Sequence, residues 1–335
     1  MRVVVIGGTG HIGTYLVPRL LALGCEVVSV SRQQREPYSG AKLGGTPASG
    51  PDAASRLGGA WSRVQEVSID REAAEAAGEF GAQILALNPD VVVDLICFQP
   101  ESNRQLVEAL RGRVRHFLHC GTIWVHGHST EVPTPESAAR HPFGDYGLAK
   151  EVIERELLHE ARQNGFPATV LHPGHIVGVG WAPLNPAGHF DPAVFGTLAR
   201  GETLALPNFG LETVHHVHAD DVAQGFERAI TAWSASVGEA FHLVSPAALT
   251  LRGYAEAVSG WFGHEARLTY APFEDWRRDL PEAEAQATWE HISRSPNCSI
   301  AKAQRLIGYQ PRYTSLEAVR ESLTDLIRRG VVQIG

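Results

Sequence analysis

The chain has 335 residues, a formal net charge of −8 and 44% hydrophobic residues, a composition ordinary for a globular protein and a length that allows a large core and two domains. No run of Lys and Arg offers a footprint for nucleic acid or an anionic membrane surface, and no stretch reaches the ~18–20 continuous apolar residues of a membrane span. The four cysteines, Cys25, Cys97, Cys120 and Cys298, form no metal-ligand pair and point to a reduced, cytoplasmic protein; the first strand begins at residue 2, which leaves no room for a signal peptide.

Val3–Ile6 reads as an apolar strand entering the turn Gly7-Gly-Thr-Gly-His-Ile-Gly13, and a helical pattern follows from Ile12 to Leu23. In this strand–turn–helix context Gly7 permits the tight turn, Gly10 lets the backbone approach a pyrophosphate, and Gly13 lets helix and strand pack closely. The N–H groups at the helix start then face the phosphates, where the helix dipole favours negative charge. His11 and Ile12, inside the same turn, are counted with the cofactor contacts.

Glu26–Ser31 reads as a second strand, and residues 36–60 as a long Gly-, Pro- and Ser-rich loop. A third strand over Val64–Ile69 leads to a helix over 71–87. Residues 89–98 form a continuous apolar run, as in a strand buried on both faces. A helix over 101–110, a strand over 116–120, a long helix over 145–164 stopped by Gly165 and Pro167, and a strand over 168–172 complete the alternation. Such alternation predicts an α/β fold, a Rossmann-like doubly wound parallel sheet with right-handed crossovers, over residues 1–175. Past residue 176 prolines break the rhythm. Residues 176–335 are expected to form a smaller, mixed substrate-binding domain, with strands near 213–218 and 240–244 rejoining or flanking the sheet.

Tyr146-Gly-Leu-Ala-Lys150 carries chemistry. Lysine occurs only at positions 42, 150 and 302, and residues i and i+4 share a helix face. A phenol is a poor base at neutral pH; a neighbouring ammonium stabilises its phenolate, so the tyrosine can exchange a proton with an alcohol or ketone as hydride moves. Thr122, where the strand ending at Cys120 runs into a loop, can hydrogen-bond the same substrate oxygen.

These pieces, in this order and over nearly the whole chain, resemble the extended short-chain dehydrogenase/reductases, in particular the epimerase/dehydratase branch. The glycine motif matches, Asp70 falls at the acidic residue that holds the adenine ring, and Thr122, Tyr146 and Lys150 fall at the catalytic Ser/Thr, Tyr and Lys. His172-Pro-Gly-His-Ile-Val-Gly178, His218-Ala-Asp-Asp-Val222 and residues 299–308 resemble further stretches of the branch. The resemblance implies tyrosine acid/base catalysis, lysine on the nicotinamide ribose, and hydride passing between cofactor and a carbinol carbon.

The departures are informative. The second strand ends in Arg32, with Arg35 nearby, instead of an acidic residue, which favours NADP(H) over NAD(H) within an NAD(P) site. Val214 stands where nucleotide-sugar enzymes often carry an arginine, and His175 where an asparagine often touches the sugar. Trp124, His126, His175 and Arg294 are the candidate substrate contacts. No helical metal motif accompanies the many histidines, and no metal is expected. Ile123, directly after Thr122, is not the acidic residue of a dehydratase. The leading reading is a nucleotide-sugar epimerase-like enzyme; the alternative is an NADP(H)-dependent carbonyl reductase or alcohol dehydrogenase on a non-nucleotide substrate, and a non-catalytic redox sensor is disfavoured by the retained Tyr and Lys. Helices 101–110 and 145–164 match those that many relatives pair into a homodimer, although the stripe Val152, Ile153, Leu157 and Leu158 could equally face the chain's own sheet.

Overall fold

A computed structural model describes residues 1–32 and 61–334 of the protein. The long loop read at 36–60 and Arg35 lie outside the described residues.

Seven parallel strands form the central sheet in the order β11-β6-β5-β4-β1-β2-β3. They are β1 (Arg2–Ile6), β2 (Glu26–Ser31), β3 (Gln65–Ser68), β4 (Val91–Asp94), β5 (His116–Cys120), β6 (Ala168–Pro173) and β11 (Ala240–Leu243). The order reverses direction beside β1, which creates the crevice at the carboxyl ends of β1 and β4 where α/β sheets bind ligands. Alternation along the strands divides the core: Val3 and Val5 pack with one layer, Val4 and Ile6 with the other. Burial on both faces accounts for the unbroken apolar runs in β1 and β4.

The first layer contains α1 (His11–Ala22). The second contains α3 (Phe80–Leu85), α4 (Pro100–Leu110) and α5 (Gly144–Gln163). The helix predicted over 71–87 is two helices, α2 (Arg71–Ala76) and α3, because Gly78 takes a φ of +72° between them; a left-handed glycine ends a helix. Ile153 and Leu157 are fully buried in the second layer, so that part of the α5 stripe faces the chain's own sheet. The outer faces of α4 and α5 are joined by Arg104–Glu156 and Arg111–Glu160 ion pairs.

Only β11 of the later strands enters the central sheet, beside β6. The predicted strand over 213–218 is instead two short ones. β10 (His216–His218) pairs parallel with β7 (His175–Val177), and β9 (Thr213–Val214) pairs antiparallel with β12 (Leu249–Thr250). A third small sheet joins β8 (Thr203–Pro207) to β13 (Arg267–Ala271). A separate core of Leu198, Leu206, Leu251, Tyr254, Val319 and Leu323 supports these elements. Between them run α6 (Ala193–Ala199), α7 (Ala219–Thr231), α8 (Trp233–Ser236), α9 (Leu251–Trp261), α10 (Phe273–Trp276), α11 (Glu282–Ile292), α12 (Ala301–Ile307) and α13 (Ser315–Arg328). α7 closes the first layer against α1 through Val222 and Phe226. Among the described residues no helix is long and apolar enough to cross a membrane.

Candidate active site

The β1–α1 corner is built from backbone. Gly7 has φ +87°, a conformation that only glycine adopts without strain. A Cβ on Gly13 would lie 2.3 Å from the Gly8 carbonyl oxygen and 2.5 Å from its carbon, so the helix start rests directly on the loop. A Cβ on Gly10 would meet one atom, Gly7 O at 3.1 Å, and otherwise open space. No side chain caps α1 at Gly10, and the first-turn N–H groups point where an anion is favoured. The corner therefore fits a dinucleotide pyrophosphate. Ile12 is a core side chain, 6% exposed, so its side chain packs inward. His11 stacks on Trp181 with ring centroids 4.4 Å apart and planes 3° apart, which ties the corner to the segment after β7.

Two more expected cofactor residues lie along the same edge. Asp70 follows β3 and caps α2, its Oδ1 accepting from Ala73 N at 3.1 Å. Arg32 is exposed just past the carboxyl end of β2, its carbonyl accepting from Ser68 Oγ at 3.0 Å.

Tyr146, Lys150 and Thr122 come together at the ends of β4 and β5. Lys150 is 1% exposed. Its Nζ donates to Cys97 O at 2.7 Å and to Cys120 O at 2.6 Å, the first in the loop after β4 and the second on the last residue of β5. The same ammonium lies 5.0 Å from the Phe98 ring centre and 5.8 Å from that of Tyr146. The Thr122 side chain adjoins the Tyr146 phenol, and its Oγ1 accepts from Trp124 N at 3.3 Å. Tyr146 keeps 40% of its surface exposed.

The electrostatics differ from the expected phenolate. Burial of its hydroxyl end pushes the Tyr146 phenol up, the Cys120 thiol adds to that, and the neighbouring Thr122 side chain opposes both. Burial likewise pushes Lys150 down and the neighbouring Cys120 and Cys97 thiols up, to about 11 and about 12. Within the protein alone the ammonium bonds to carbonyls, not to the phenol, so desolvation decides the direction.

Behind Thr122 lies a polar group that the sequence reading left unassembled. Thr122 N donates to His172 Nδ1 at 2.9 Å. His172 Nε2 lies 3.1 Å from Glu154 Oε1, off the axis of a full hydrogen bond. Arg140 grips both oxygens of Glu154, at 2.7 and 3.0 Å, and its Nη1 lies 3.2 Å from His126 Nδ1. Glu154 is four residues after Lys150 on α5, a helical spacing that marks the carboxylate; nothing local marks Arg140.

The four candidate substrate contacts divide. Trp124 stands edge-on to Tyr146 at 5.8 Å and to His291 at 5.1 Å. His175 meets His291 at 5.3 Å and Phe190 at 5.2 Å. With Leu184, Val214 and Pro296, Trp124, His175 and His291 line one small cavity. Burial lowers His291 to about 4 and His175 well below its usual value, so these imidazoles are neutral. Arg294 is 2% exposed and sandwiched 3.8 Å from both the Trp124 and Phe143 ring centres, its Nη atoms donating to Glu290 O and Phe143 O. His126 lies in the buried polar group, its Nε2 2.8 Å from His242 Nε2.

The family model described as the NAD dependent epimerase/dehydratase family matches residues 3–243. The chain is 26% identical over 325 residues to a dTDP-6-deoxy-L-talose 4-dehydrogenase (NAD(P)(+)) of Kitasatospora kifunensis, covering 96% of this chain and 95% of that one. It is 25% identical over 295 residues to a 2'-dehydrokanamycin reductase of Streptomyces kanamyceticus, covering 87% and 76%. Among solved structures, a UDP-glucuronic acid 4-epimerase of Bacillus cereus in complex with UDP-glucuronic acid and NAD superimposes with a TM-score of 0.71 at 19% identity, covering 98% of this chain and 99% of that one.

Proposed function

From the premise that the chain belongs to the NAD dependent epimerase/dehydratase family, an NAD(P)-dependent family, we propose that it modifies a sugar by hydride transfer, with Tyr146 as acid/base, Thr122 as orienting hydroxyl and Lys150 as ribose-binding cation. One observation carries this reading: the Tyr146 phenol and the Thr122 hydroxyl adjoin at the carboxyl edge of the sheet beside a buried ammonium. When bound, the cofactor supplies the hydride acceptor or donor. Gly7, Gly10 and Gly13, with the N–H groups of His11 and Ile12, hold its pyrophosphate, and Asp70 its adenine. Arg32, with Arg35, favours a 2'-phosphate and hence NADP(H). Thr122 fixes the substrate oxygen next to the phenol, and Tyr146 takes its proton or returns it. Residues 176–335 cover the sugar, with Trp124 and His175 as the wall nearest Tyr146. The leading chemistry is an epimerase-like cycle on a nucleotide sugar, carried out in the cytoplasm by a homodimer; a light-scattering mass of one chain would refute the dimer.

A second reading, reduction of a carbonyl on a substrate without a diphosphate, is favoured by Arg294. Its terminal nitrogens already donate to two backbone carbonyls within an aromatic sandwich, and Val214 lines the cavity where a second arginine would be needed.

Tyr146→Phe tests the shared chemistry. Turnover of dTDP-6-deoxy-L-talose with NAD+ or NADP+ should fall by roughly 10²–10⁴, while cofactor affinity stays within about twofold. Undiminished turnover would overturn the role of Tyr146. No turnover of this sugar by the unaltered protein, with reduction of 2'-dehydrokanamycin in its place, would select the second reading.

A further inference from the structure

The polar group behind Thr122 is hydrogen-bonded from His242 through His126 and Arg140 to Glu154, and His172, bonded to Thr122, faces Glu154 from the other side. His242 Nδ1 faces Ser299 O at 3.1 Å. A carbonyl only accepts, so His242 carries its proton on Nδ1 and offers Nε2 as an acceptor. His126 Nε2, 2.8 Å away, must then donate, which leaves His126 Nδ1 to accept from Arg140. Arg140 also donates to both oxygens of Glu154. At the other end Thr122 N donates to His172 Nδ1, so the His172 proton sits on Nε2, facing Glu154. These tautomers are assigned from the partners' chemistry; the His172 Nε2 proton points towards Glu154 without completing a hydrogen bond.

Two features show that the ring position is built in. A Cβ on Gly121 would lie 2.4 Å from His172 Nδ1, so a glycine just before Thr122 is what admits the imidazole to its N–H. His172 is also fully buried, on β6, with no room to turn away. The charges that surround it are Glu154 from α5, Arg140 from the segment before α5, and Lys150, which lies beyond His119. His119 on β5, His126 in the turn after Thr122 and His242 on β11 are held neutral by burial. Arg140 therefore balances the one carboxylate that faces His172.

We propose that His172 is the positioning residue of this site: its bare Nδ1 anchors the Thr122 main chain, and so the Thr122 hydroxyl against Tyr146, while Glu154, gripped by Arg140, faces its Nε2. The catalytic consequence rests on the function proposed above; the tautomer does not.

Nitrogen-15 NMR of the imidazoles in the whole protein tests the first part. In the neutral ring the expected His172 signature is a bare Nδ1 and a protonated Nε2; a neutral ring with its proton on Nδ1 would overturn the proposal. Kinetics with dTDP-6-deoxy-L-talose test the positioning itself. His172→Asn keeps an acceptor for Thr122 and should retain kcat within about tenfold, whereas His172→Leu should lose about 100-fold or more in kcat with KM nearly unchanged. Equal losses in both, or a loss confined to KM, would overturn the positioning role. A protein whose NMR signature holds but whose Tyr146→Phe variant stays active would locate the failure in the proposed chemistry instead.

Discussion

Two corners at the carboxyl edge of the same sheet are built by opposite means. At the β1–α1 corner the working surface is main chain: glycines remove side chains until helix, loop and a phosphate can meet. Seven consecutive residues do all of this. At the β5–Thr122 corner the surface is side chain, and it draws on β5, β6, α5, β11 and the segments holding Arg140 and Ser299. The first corner depends on the absence of atoms. The second depends on which nitrogen carries each proton and is exposed to changes far away in sequence. One corner is thus held by rigid local geometry, the other by a dispersed polar network.

The difference can be broken from the steric side first. Gly13→Val places atoms where Gly8 backbone already lies 2.3 Å from a Cβ, and backbone cannot swing aside as a side chain would. Overpacking of this kind costs about 3 kcal/mol or more, so titration calorimetry should find cofactor affinity reduced by about 100-fold or abolished. Affinity within tenfold of the unaltered protein would mean that the corner is looser than its contacts indicate.

Acid should weaken the fold as a whole. Burial lowers His126 and His216 to about 3, and His116, His215 and His291 to about 4; in the unfolded chain each returns to about 6.5. The unfolded chain therefore binds more protons between these values. Stability is intact above about pH 6.5 and is lost as pH falls towards 4, at up to about 1.4 kcal/mol per pH unit for each histidine. Five such groups can consume the ~5–15 kcal/mol of a typical folded protein within about two units. Urea midpoints should fall steeply from pH 6.5 to 5, and a flat profile would contradict the burial of these rings.

The smallest effect is expected at the outer rim of the first corner, where one exposed side chain adds selectivity to a backbone site. Arg32→Ala should weaken NADPH by roughly 1.5–3 kcal/mol, the range of a hydrogen bond to a charged group, and leave NADH within about twofold. Equal binding of NADPH before and after the change would remove Arg32 from the 2'-phosphate. Mass spectrometry of nucleotide retained by the purified protein would sharpen the result, since tightly held NAD points to an internal redox cycle.

What the sequence alone determined follows from contiguity. The parallel α/β sheet, the glycine corner and the Tyr146–Lys150 pair are all set within short windows: a run of apolar residues, a three-residue glycine interval, a four-residue helical step. Departures from that reading have two causes, a left-handed glycine inside one predicted helix and, for the rest, distant partners. Gly78 divided a helix that apolar spacing alone made continuous, and strands at 213–218 paired with β7 and β12 because β11 took the sheet edge beside β6. Ile153 and Leu157 showed their face only once a sheet lay beneath them. Tertiary structure alone decided that the Tyr146 phenol is raised and not lowered, because desolvation depends on what surrounds the hydroxyl. It alone placed His126 in a buried chain and His175 in a cavity, although both are histidines in glycine-flanked segments. The partners that distinguish them, His242 and Arg140 for one and His291 and Phe190 for the other, are mostly tens of residues or more away, and the role of an imidazole is fixed by the groups that meet its two nitrogens.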